Sequence, residues 1–128
     1  MAWVRCCGAA AKQPQVIQDT FRNGPNSGQT RTFGSADRTG LCTVTVKATK
    51  WTSMSQNTGQ YQYDTITIGS STYRTIDYVT TMPNPGTTAV FTIPNKPITI
   101  GQSISGYLKN PNYDPGQWTD YEITCVIE

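Results

Sequence analysis

Residues 41–51 read Leu-Cys-Thr-Val-Thr-Val-Lys-Ala-Thr-Lys-Trp, and this alternation limits the fold more than any other stretch of the chain. Cys42, Val44, Val46 and Ala48 fall on one side, and Thr43, Thr45, Lys47 and Thr49 on the other. A period of two, with β-branched residues on both sides, is the pattern of a strand with one buried and one solvated face. No helical stripe competes with it. Further strand patterns follow at 61–68, 72–81, 88–93, 98–108 and 121–128, separated by turn signals such as Gly69-Ser70-Ser71 and Met82-Pro83-Asn84-Pro85-Gly86. Pro94 and Pro97 are expected to close the strand that ends at Ile93, because proline brings no ladder donor. Gly101 and Gly106 mark bends or bulges. The class that fits is all-β: an antiparallel β-sandwich, jelly-roll or immunoglobulin-like.

The first forty residues lack this regularity. Ala2-Trp3-Val4 and Val16-Ile17-Gln18-Asp19-Thr20-Phe21 are short apolar patches between polar and turn-rich segments, including Asn23-Gly24-Pro25-Asn26-Ser27-Gly28. Such a segment makes no core by itself. The sequence therefore divides into an extended N-terminal arm, 1–40, and a sandwich body, 41–128. Trp3, Val4, Val16, Ile17 and Phe21 are the side chains through which the arm is expected to dock on a neighbour. The strand at 41–51 would then be the near edge of the body.

Composition narrows the function. Charged residues make up only 14% of the chain, against about 25% in average domains. The net charge is +2 and the basic residues are scattered, which argues against a nucleic-acid partner. No run approaches the roughly eighteen apolar residues of a membrane span, and residues 1–11 do not read as a signal peptide. The polarity comes from uncharged Thr, Ser, Asn, Gln and Gly, a surface common where strand faces meet other subunits.

Chemistry-bearing motifs are sparse. The chain contains no His, the commonest base for nucleophilic catalysis, and no Gly-rich phosphate loop. Asp64, Asp77, Asp114, Asp120 and Glu122 read as solvated charges rather than paired catalytic carboxylates. The expectation is a non-enzyme with no cofactor and no metal; the oxygen-rich loop at 110–120 lacks the acidic spacing of a calcium site. Cys6 and Cys7 are adjacent, and Cys42 and Cys125 both lie in strand patterns. Two buried free thiols, or a bridge between the first and last body strands, are the two readings of the second pair. Late in the chain Tyr107, Tyr113, Trp118 and Tyr121 cluster in sequence. They fit sheet packing, a subunit interface or a glycan-binding face.

The opening Met1-Ala2-Trp3-Val4-Arg5-Cys6-Cys7-Gly8 resembles the start of small structural proteins of tailed bacteriophages and prophages. The Thr/Ser/Asn/Gly-rich β body is similar to virion decoration and tail-appendage proteins. The resemblance implies a homo-oligomeric virion component, made in the host cytoplasm and held to other virion proteins of a capsid or tail through its arm. A carbohydrate- or receptor-binding module, contacting a host-surface glycan, is the alternative.

Overall fold

A computed structural model of the chain describes residues 13–24, 27–51, 64–78, 87–110 and 118–128. They form eight strands: β1 (Gln15–Asn23), β2 (Ser27–Ser35), β3 (Gly40–Trp51), β4 (Thr65–Ile68), β5 (Ser71–Arg74), β6 (Thr87–Ile98), β7 (Ser103–Asn110) and β8 (Thr119–Ile127). A 3-10 turn, Thr75–Tyr78, follows β5. One sheet, here sheet A, has the order β1-β8-β3-β6; the other, sheet B, has the order β2-β7-β4-β5. Every pairing is antiparallel, and strands join from the two ends of the chain inward: β1 with β8, β2 with β7, β3 with β6, β4 with β5. β3 also pairs with β8 and β4 with β7, so each sheet is continuous. The two sheets pack as a sandwich.

The core follows from the period-two pattern. Cys42, Val44, Val46 and Ala48 of β3 are at most 1% exposed, as the alternation requires. With Phe91, Ile93, Ile123, Cys125 and Ile127 they form the inner face of sheet A, opposite Ile66, Ile68, Ile104 and Leu108 of sheet B. Each buried Ile or Leu contributes roughly 1.5–3 kcal/mol of transfer free energy. Gly106 of β7 lies close against its neighbouring strand β4: a Cβ there would sit 2.8 Å from Ile66 Cδ1 and 2.9 Å from the Thr65 carbonyl oxygen. The β4–β5 hairpin turns on Gly69 and Ser70, with Gly69 at φ 63, a conformation that favours glycine.

Four expectations are corrected. Residues 15–35 are not an arm. They form β1 and β2, one strand of each sheet, with Ile17, Phe21 and Phe33 packed against the core of their own chain. Their alternation is disguised because the inward positions also carry Gln15, Asp19, Asn23, Gln29 and Arg31. Trp3 and Val4 lie outside the described residues. β3 is an interior strand, flanked by β8 and β6, rather than the body's edge. Nor does β6 stop at Ile93: it runs through both prolines to Ile98. It is the edge of sheet A, where a missing donor faces away from the ladder. A bulge opposite Thr43 absorbs Pro94 and Asn95; Asn95 takes φ 52 and donates its N–H to Thr43 Oγ1 at 3.1 Å. The segment expected as a strand over 72–81 leaves the ladder at Arg74 and continues as the 3-10 turn.

Candidate functional site

The open side between β1 and β2 is laced by polar side chains. The Arg31 guanidinium forks onto Asp19, Nε to Oδ2 at 2.8 Å and Nη2 to Oδ1 at 3.0 Å, and lies 4.5 Å from the Phe21 ring centroid. Gln15 Nε2 donates to the Ser35 carbonyl, and Gln29 Nε2 to Asn23 Oδ1 at 2.7 Å. On the opposite side Lys96 Nζ sits 4.9 Å and 5.3 Å from the Tyr73 and Tyr78 rings. Those two rings meet edge to face.

At one end of the sandwich a buried polar cluster ties strand ends together. Asn23 Nδ2 donates to the Leu108 carbonyl at 2.9 Å, and Asn110 Nδ2 to the Gly24 carbonyl at 3.1 Å. The Tyr121 hydroxyl donates to the Lys109 carbonyl, while the Lys109 N–H donates to Asp64 Oδ1 at 3.0 Å. Asp64, expected on a solvated face, is 4% exposed. Burial raises its pKa to about 8, against the opposing pull of the Lys109 N–H. Burial, followed by the nearby Asp64 charge, also raises the Tyr121 phenol. No periodicity singles out Asp64, because it precedes β4 beside polar residues. Asp77, Asp120 and Glu122 do lie on the surface, paired with Arg74, Arg22 and Lys47; Asp114 is outside the described residues.

The late aromatics do not form one face. Tyr121 points inward and stacks on Phe21, ring centroids 5.0 Å apart. Tyr107 stands on the outer face of sheet B, over Gly28. Trp118 is 41% exposed just before β8, with the Arg22 guanidinium 5.4 Å from its ring and Arg22 ion-paired to Asp120 at 2.6 Å. The Asp120 hydrogen bond, above all, raises the Arg22 pKa. Tyr113 lies outside the described residues. Proximity in sequence is not proximity on a sheet, because alternate residues face opposite ways.

Cys42 and Cys125 are buried free thiols on adjacent strands. Burial pushes their pKa values up to about 11 and about 12, which leaves them in the unreactive thiol form at neutral pH. Among the described residues no three His, Cys, Asp or Glu come together to hold a metal, and no helix is long and apolar enough to cross a membrane.

The outer face of sheet A is a regular surface built on four strands. The strand register aligns Gln18, Thr124, Thr45 and Thr92 across its middle, an uncharged row. Toward the Asn23 end lie the Arg22–Asp120 and Lys47–Glu122 pairs. Toward the other end Val16 pairs with Val126, and Leu41 with Pro97. Val16 is 58% and Leu41 48% exposed. The face thus runs from charged, with Val90 exposed beside Lys47, through threonine-rich to apolar.

A scan of protein-family models finds no match to this chain, and comparison with curated proteins finds none either.

Proposed function

We propose that this chain is a non-enzymatic virion structural protein of jelly-roll architecture whose copies pack together in a particle. The observation that carries the reading is the pairing of strands from the two ends inward, β1 with β8 through to β4 with β5, in sheets ordered β1-β8-β3-β6 and β2-β7-β4-β5. That winding is the jelly-roll order, and capsid proteins are among its main users. Fold alone does not assign function. Three further features support the same reading: a threonine-rich outer sheet face, exposed Val16 and Leu41 at one end of it, and the phage-like residues 1–8. The protein is made in the host cytoplasm and incorporated into the virion beside other virion proteins. Sedimentation velocity and negative-stain microscopy of the purified full chain test this. Closed or regular assemblies of uniform size are expected; a monomer at every attainable concentration would remove the reading.

Lectins use the same architecture, and the half-exposed Trp118 beside the Arg22–Asp120 pair favours glycan binding as the second reading. A ring plus planar hydrogen-bonding groups is the equipment for a sugar. A glycan array with signal lost in Trp118→Ala would support it. A blank array with an intact assembly would leave the shell reading alone.

A further inference from the structure

We propose that the apolar end of the outer face of sheet A is the docking site for the N-terminal segment of a neighbouring copy, with Trp3 and Val4 as its anchors; the inference rests on the shell reading above. Pro14, Val16, Leu41, Pro97 and Val126 lie at this end of the face, beside Glu128. The register pairs Val16 with Val126 and Leu41 with Pro97, and Leu41 and Glu128 exchange backbone hydrogen bonds at 3.1 Å and 3.0 Å. Ile100, 61% exposed, stands at the same end, its N–H held by Thr39 Oγ1. Scattered apolar side chains on a surface mean little, but a group gathered at one end of a largely polar face, on which Val90 also stands exposed beside Lys47, is the mark of an interface.

The exit of the chain selects the occupant. At least twelve residues precede Gln13, and they include Ala2-Trp3-Val4. They leave at the border of this patch, because Pro14 is next to β1. Gln13 is fixed there: Arg38 Nη1 donates to its carbonyl at 2.6 Å. A residue before proline is held to extended backbone. Ten residues can span up to about 30 Å, which gives Val4 the reach to meet this patch on an adjacent subunit. The same exit repeated in every copy makes a head-to-tail chain of contacts, which closes into a ring or shell if the rotation allows.

The test uses the full chain with a benzophenone photocrosslinker at position 4, made as an equal mixture of light- and heavy-isotope protein. Crosslinks are expected between chains of different isotope, in peptides that contain Val16, Leu41 or Val126. Leu41→Asp should reduce the yield roughly tenfold, since a charge would be desolvated under the incoming segment. Leu41 is exposed, so the variant should keep the parent's urea midpoint; Val16→Asp repeats the test from a second strand. Crosslinks confined to one chain, crosslinks on the outer face of sheet B, no crosslinks, or a yield unchanged by both variants would each overturn the proposal. Intermolecular crosslinks at this patch in a protein that builds no particle would keep the docking and remove the shell reading. Particles crosslinked elsewhere would do the reverse.

Discussion

Asp64 is a buried carboxyl whose chemistry departs far from its ordinary behaviour. Its pKa of about 8 in the folded chain lies above the ordinary 3.8, so between these values the folded state keeps a proton that the unfolded state gives up. Stability therefore falls as pH rises from about 4 to about 8, by about 1.4 kcal/mol for each pH step of one, and levels off above that range. Urea midpoints across this range should show the decline, and Asp64→Asn should flatten it and be the more stable form at pH 8. The variant amide oxygen still accepts from the Lys109 N–H. At Gly106 the argument is steric. Because a Cβ would press on the Thr65 backbone carbonyl as well as on Ile66, Gly106→Ala should cost about 1–3 kcal/mol in a urea titration.

Among the elements, β6 shows how an edge is protected. Pro94, Pro97 and the bulge interrupt the row of donors that would otherwise invite another strand. Asn95 carries the bulge at positive φ. Asn95→Gly should be neutral or stabilising, and Asn95→Val should lose about 1–2 kcal/mol by thermal or urea melting, because a β-branched residue resists that conformation. β6 also shows what a sequence conceals. Its prolines read as a stop, since edge or interior position is a property of the sheet and not of the strand. β3 and β8 are legible because both are interior and bury unbroken apolar stripes. β1 and β2 are not, since half of their inward positions hold the Gln15, Asp19, Asn23, Gln29 and Arg31 groups that lace the open side. Of the site, Val16 and Trp118 are exposed, whereas the inward Tyr121 shares with Trp118 only its place in the sequence. Asp64 has no signal to offer; its burial depends on strands distant in sequence.

For the whole molecule, the pairing of chain ends divides the sequence into dispensable and indispensable parts. Every strand and the whole core among the described residues lie within 15–127, so deletion of 2–12 should leave the circular dichroism and the cooperative melt intact. Deletion of 119–128 should abolish both, because β8 joins β1 to β3 through the middle of sheet A. Folding by such distant pairings is slow. It is also late. During synthesis β1 and β3 emerge with no strand to lie between, and they wait until Ile127 has been added, on the order of ten seconds at ordinary elongation rates. A chain cut short before that point never completes sheet A, and so never presents the outer face on which copies would meet. The position of β8 thus makes the outer face of sheet A contingent on synthesis reaching Ile127: a polypeptide that stops earlier does not acquire it.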